Sequence, residues 1–159
     1  MAMDMFIKIG DVKGESRDSA HKDEIDVLSW SWGASNSGSA HVGGGMGSGK
    51  VNVQDLSFTK YIDKSSCDLM LACCNGKHYP EAKLIVRKAG EKPLEYLTVT
   101  MTDVLVTSLS TGGSGGEDRL TENVSLNFAK VKVDYKIQNA KGSGDTAGTM
   151  TWNIAENAK

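Results

Sequence analysis

The run Gly44-Gly45-Met46-Gly47-Ser48-Gly49-Lys50 fills the first seven positions of a phosphate-binding loop. The eighth should carry a Ser or Thr hydroxyl for Mg²⁺, and it is Val51. The context fails as well. The run leads into the strand-like Val51-Asn52-Val53, not into a helix whose N-terminus would face the phosphates. Nucleotide chemistry is therefore set aside. Glycine at the density of Gly38 to Gly49 is costly to order. A mobile loop and a contact ordered by another chain both fit it.

Cys73 and His78 would make a thiol nucleophile and its base only with spatial contact and an orienting acid, which spacing does not supply. The three cysteines, Cys67, Cys73 and Cys74, are odd in number and tightly clustered, so reduced thiols are expected instead of a disulfide framework. Cys73 and Cys74 read as small apolar residues on a helix face. His21, His41 and His78 lie scattered without metal-ligand spacing. No metal and no cofactor are expected. The carboxylates Asp23-Glu24-Asp26 and Glu117-Asp118 read as surface charge, with nothing to mark an acid/base pair. Catalysis finds no support.

Gly112-Gly113-Ser114-Gly115-Gly116 followed by Glu117-Asp118-Arg119 reads as a turn with a surface charge cluster, since no helix follows to hold an anion. Trp30 and Trp32 share one face of a strand, with Ser29, Ser31 and Gly33 on the other. The tryptophan face is expected to be buried. The small polar face fits a smooth, wettable channel lining and an ordinary solvent face equally well.

The elements that must position these residues are mostly strands. Met3-Met5-Ile7-Ile9, Val51-Val53, Ala82-Leu84-Val86, Leu97-Val99-Met101 and Val124-Leu126-Phe128 alternate with period two. In four runs the apolar parity switches. Ile25 and Val27 give way to Leu28, Trp30 and Trp32; Val51 and Val53 to Leu56 and Phe58. Leu97 to Met101 give way to Val104 and Val106, and Val124 to Phe128 to Val131, Val133 and Tyr135. A switch of face inside a run needs a bulge or sharp bend. Four of them predict long strands that turn corners, and so a mainly β fold, a small closed β-barrel of bent antiparallel strands. One short α-helix is predicted over about 64–75, between N-cap candidates in Asp63 to Ser66 and a stop at Asn75-Gly76. Its apolar stripe is Leu69, Met70, Cys73 and Cys74.

At 159 residues, 39% hydrophobic and 24% charged, the chain is expected to form one domain over 1–159. A net charge of −2 argues against nucleic acid. No stretch approaches the roughly 20 apolar residues of a membrane span, so no membrane insertion is expected. The start, Met1 to Lys8, lacks the basic and apolar regions of a signal peptide. Cytoplasmic synthesis is expected, with any exit by a route that needs no cleaved peptide.

Asp4 to Ser16, Glu24 to Leu28 with Trp30-Ser31-Trp32-Gly33, Lys50 to Leu56, Phe58 to Ser65, Gly76 to Pro80 and Ser110 to Val124 together resemble the Hcp family of the type VI secretion system. The resemblance runs from about Asp4 to Tyr135, and departs at Cys73-Cys74 and after Ile137. It implies a β-barrel with one helix, similar also to phage tail-tube proteins. It further implies a homohexameric ring, stacked into a tube inside a contractile sheath, that works with the VgrG spike protein and is itself secreted. Small effector proteins would travel in the ring lumen; in an alternative reading the ring is mainly an effector-binding chaperone or receptor. Ser29 and Ser31 would face the lumen. The loop of Gly38, His41, Gly43, Gly44, Gly45, Met46, Gly47, Ser48 and Gly49 would reach a neighbouring ring. Glu117, Asp118 and Arg119 are candidate assembly contacts.

Overall fold

A computed structural model describes residues 3–38, 50–90 and 93–159. In chain order its elements are β1 (Met3–Ile9), β2 (Ile25–Asp26), β3 (Ser29–Ser31), β4 (Ala34–Ser35), β5 (Asn52–Val53), β6 (Leu56–Tyr61), α1 (Ser66–Asn75), β7 (His78–Lys88), β8 (Leu94–Thr111), β9 (Thr121–Gln138) and β10 (Gly144–Asn153). The longest alternating runs give the longest strands, β8 and β9, which pair from Leu97↔Tyr135 to Thr111↔Glu122. The sheet runs β2-β1-β7-β8-β9-β6-β3, every pair antiparallel. On the far side of β9 from β8, β6 occupies the first half and β10 the second.

The parity switches are real corners. The run Ile25 to Ser31 breaks between β2 and β3, and the run Val51 to Phe58 breaks between β5 and β6. In β8 and β9 the strand continues through its switch. Tyr79, Val104 and Phe128 form one buried row, and Ala82, Met101 and Val131 the next buried row. Each strand changes faces between the same two rows, so pairing passes the crease without a register shift there. Pro80 falls in the crease on β7, where its missing N–H breaks no ladder bond. Asp103 falls there on β8 with a φ of 56°, a left-handed conformation that Asp tolerates better than most residues. Folding along this line wraps both halves of the sheet around one core, which includes Ile7, Ile25, Phe58, Leu84, Met101 and Leu126.

The sheet is strongly curled but open, which corrects the closed barrel. Its two ends, β2 and β3, do not pair with each other. They are successive pieces of one bent run. Val27 N–H donates to Met5 O at 2.9 Å, while Leu28 N–H donates to Thr59 O at 2.8 Å. The run thus hands its hydrogen bonds from one sheet end to the other, and a chain crossing stands where a ladder would close a barrel.

α1 begins two residues later than predicted and turns a different face inward. Leu69 and Ala72 are buried, Cys73 is half-buried, and Met70 and Cys74 are exposed. Just ahead of it Asp63 Oδ1 accepts the N–H of the N-cap residue Ser65 at 2.9 Å, an Asx turn that leads into the helix. It ends at Gly76, whose φ of 71° is the left-handed stop that glycine makes cheap.

Candidate functional site

Turning Trp30 and Phe58 toward the core forces their neighbours outward, since successive strand residues point to opposite faces. Trp30, Phe58, Val124 and Leu109 form one core-side row across β3, β6, β9 and β8. On the opposite face, one row reads Ser31, Ser57, Ser125 and Ser108 across the same four strands. The next reads Ser29, Thr59, Asn123 and Ser110. Eight short polar side chains tile this face, without a formal charge among them. Ser57 Oγ and Ser125 Oγ lie 2.9 Å apart, and Thr59 Oγ1 donates to Asn123 Oδ1 at 2.6 Å. At the margin Thr107 Oγ1 and Asn127 Nδ2 donate to the Asp55 carboxylate at 2.6 and 2.9 Å. A flat hydroxyl surface of this kind offers many weak hydrogen bonds and no single deep contact. It suits water, or a sliding or loosely held protein, better than a reaction.

Both sequence-selected residues of β3 belong to this face, and Ser29 and Ser31 are exposed. Their partners on β6, β9 and β8 were not found from sequence. Each strand alternates small polar with apolar residues, but only the register brings them into rows. The tryptophans are half-buried instead of fully buried. Trp32 anchors itself by donating from Nε1 to Gln54 O at 2.9 Å.

Both edges of this four-stranded patch are open among the described residues. β3 is the end of the sheet. β8 has β7 beside it only as far as His78↔Leu105, which leaves Val106 to Thr111 with β9 alone. The β8–β9 connection caps one end of the face, in a cleft of about 360 Å³ that Ser110, Gly113, Glu117 and Asn123 help to line.

The three candidate assembly residues have different surroundings. Glu117 opens onto the hydroxyl face. Arg119 instead stacks over the Tyr61 ring at 3.8 Å and lines a different cleft, about 390 Å³, with Glu15, Arg17, Asp26 and Asp63. There loss of solvation, then the nearby Asp63 carboxylate, hold Asp26 above the usual carboxylate range, against the pull of Arg119. Asp118 is exposed. Of the glycine-rich loop only Gly38 is described, and it is exposed. His41, Gly43, Gly44, Gly45, Met46, Gly47, Ser48 and Gly49 lie outside the described residues.

The thiol–imidazole pair does not form. The His78 ring places Nδ1 3.0 Å from Asp103 Oδ1, while Cys73 packs against the core. Among the described residues no group of three His, Cys, Asp or Glu side chains could hold a metal ion, and no helix is long and apolar enough to cross a membrane.

Residues 6–135 match the family model described as type VI secretion system effector, Hcp. The chain is 67% identical over 161 residues to Protein hcp1 of Pseudomonas aeruginosa, covering 100% of this chain and 99% of that one. Among solved structures it is similar to Hcp1 of Salmonella typhimurium, with 42% identity, a TM-score of 0.80 and 99% of each chain covered. It is also similar to a type VI secretion system effector of Yersinia pestis, with 37% identity, a TM-score of 0.76, and 94% of this chain and 99% of that one covered. The chain belongs to the Hcp family, secreted structural proteins of the type VI secretion system and not enzymes.

Proposed function

We propose that this chain is the ring subunit of a secretion tube, in which six copies close head to tail and the rings stack. The four-stranded patch with two free edges carries this reading. β3, β6, β9 and β8 alternate in direction, so β8 of one copy runs antiparallel to β3 of the next. An exposed strand edge is a template for pairing, and a contact between two different edges closes into a ring when the rotation allows. Six patches supply 24 strands. At about 4.8 Å per strand such a ring measures roughly 40 Å across between backbones. The rows of Ser, Thr and Asn would then line a continuous neutral bore, with Ser29 and Ser31 at each joint.

Small effector proteins ride in that bore, and the tube with its VgrG spike is driven out by contraction of a surrounding sheath. The protein is made in the cytoplasm and leaves the cell with the tube. Ring-to-ring contacts come from the loop of Gly38 to Gly49 and from Glu117 and Asp118 beside the bore. Arg119, engaged with Tyr61, holds the shape of that end. A second reading, an effector-binding chaperone ring, rests on the same uniform hydroxyl face.

Solution mass with electron microscopy of the same sample tests the proposal. Six subunits of 17.0 kDa make a 102 kDa particle, seen as open rings. A monodisperse 17 kDa monomer without rings would overturn it.

A further inference from the structure

The crease sorts the outward charges of the sheet. Before it, β9 points Asn123, Ser125 and Asn127 away from the core; after it, Lys130, Lys132 and Lys136. Lys132 shares a row with Lys8 and Lys83, across Thr100. The sheet therefore carries cations, but on the other side of the crease from the hydroxyl rows, which hold none. What stands at the margin of those rows is a carboxylate, Asp55. It lies past Ser57, at the opposite end of the face from the β8–β9 connection.

Neutral donors hold Asp55 in place. The pairing of β8 with β9 shifts register between Val106 and Ser108, which makes Thr107 the extra residue of a bulge. A bulge re-aims a side chain, and this one brings the Thr107 hydroxyl to Asp55 Oδ2 at 2.6 Å. On the other oxygen Asn127 Nδ2 donates at 2.9 Å. A carboxylate accepts at about four positions, so each oxygen keeps room for another donor. Asp55 is half-buried, and its charge is matched by no cation among the described residues. Its direction is fixed while its charge is left over. In a ring of six copies this carboxylate recurs around one mouth of an otherwise neutral bore.

We infer that Asp55 selects the cargo of the bore by charge, taking a small folded protein whose contact surface carries lysine or arginine. This rests on the ring reading above and deepens it. A cargo cation meets each Asp55 it reaches in a charge-assisted hydrogen bond, about twice as strong as a neutral one. The rows of Ser, Thr and Asn take up the neutral polar groups around it. The same carboxylates repel the phosphates of nucleic acid. A metal ion does not fit the place, because among the described residues no three His, Cys, Asp or Glu side chains converge.

Capture by rings of the full chain tests the selection. The probe is one compact domain, narrow enough for the bore, made in a lysine-rich and a glutamate-rich form. Unmodified rings should retain the first and release the second, and retention should fall as salt rises. Asp55→Asn keeps the side chain's shape and removes its charge. It should weaken capture of the lysine-rich form at least about fivefold, with the particle unchanged at 102 kDa, six times 17.0 kDa. Asp145→Asn makes the same charge change at an exposed position on β10, opposite Ile137, and should leave capture as it was. Ser125→Arg should abolish capture, since it sets a cation inside the bore. Undiminished capture by Asp55→Asn, or equal retention of both forms or of neither, would overturn the inference with the ring intact. A matching loss in Asp145→Asn would reduce the attraction to net charge, and capture that survives Ser125→Arg would place the probe outside the bore; each overturns the inference. Rings lost in Asp55→Asn would assign the residue to the shape of the bulge and also overturn its selecting role. Monomer alone from the unmodified chain would overturn the ring itself.

Discussion

Lys60 on β6 and Glu122 on β9 are register partners whose side chains meet inside the protein, with 0% and 2% exposure. The ammonium group also donates to Tyr61 O at 2.9 Å, to Asp63 Oδ1 at 3.1 Å and to Ser66 Oγ at 3.1 Å. Ser66 Oγ in turn donates to Glu122 Oε1 at 2.6 Å. The pair therefore ties the start of α1 to the sheet. Because its polar atoms are satisfied, it is tolerated. Removing one partner would strand the other charge without solvent.

Glu122→Ala or Lys60→Met alone should lower stability by about 3–5 kcal/mol, read by chemical denaturation at fixed protein concentration. The double variant Lys60→Met/Glu122→Leu should lose much less than the sum, since no buried charge of this pair is left unmatched. Additive losses would mean that the two residues do not act as a pair.

Asp103 bends β8 at the crease with a φ of 56°. A β-branched residue there meets the left-handed penalty in full, so Asp103→Val should cost about 1–2 kcal/mol. Asp103→Gly should be neutral or mildly stabilising, because the lost contact to His78 is exposed on both sides and worth little. Equal effects from Val and Gly, in thermal or denaturant melts, would remove backbone strain from the explanation.

Much of this was legible. The parity switches at Met101/Val104 and Phe128/Val131 located the crease, because a buried side chain on each side of a corner leaves a period-2 pattern out of phase. That the ends stay open was not legible, since alternation says which face is buried but not which edges meet. The helix face was misread for a similar reason. Ser66 to Asn75 holds apolar or small residues on most of its circumference, so contacts with β8 chose Leu69 and Ala72 over Met70 and Cys74. Lys60 left a usable signal that was missed. It continues the buried parity of Leu56 and Phe58, as Glu122 does that of Val124 and Leu126, and two opposite charges on core positions point to a pair.

His21 clips the segment after β1 to β8 and should make stability pH-dependent. Its Nδ1 lies 2.9 Å from Glu24 Oε2 and its Nε2 2.6 Å from Glu95 Oε1, so both nitrogens act as donors only in the cation. The Phe6 ring stacks on the imidazole at 4.5 Å and also carries the Arg87 guanidinium at 5.1 Å. Burial alone would lower the His21 pKa, but hydrogen bonds and charge from Glu24 and Glu95 outweigh it, and the net direction is up. A raised folded pKa contributes stability that is fully present below the ordinary value near 6.5 and lost as pH rises through the folded value. Denaturation midpoints should fall as the pH rises above about 6.5 in the parent and flatten in His21→Ala. Asp18 behaves in the opposite sense. Hydrogen bonds from Arg87 hold it down to about 2, so its contribution is present above 3.8 and lost as pH falls from there through about 2. Asp18→Asn should remove that acid-side slope.

Ser31→Arg tests whether the hydroxyl face does work beyond assembly. Ser31 is exposed and faces away from the core, beside Ser57 and Ser125, so folding should change by no more than about 0.5 kcal/mol. The variant puts a long cation on a neutral, close-set surface. If the face receives cargo, effectors should no longer co-purify while the particle stays at 102 kDa, six times 17.0 kDa. Because β3 is also an open edge, lost rings would instead assign Ser31 to the joint between subunits. Ser125→Arg separates the two effects, since Ser125 lies in the same row but on β9, flanked by β6 and β8. It lies on the same hydroxyl face without touching either edge. Cargo lost in both variants with rings intact would make the whole row the receiving surface. Cargo retained in both would leave the face as a passive lining.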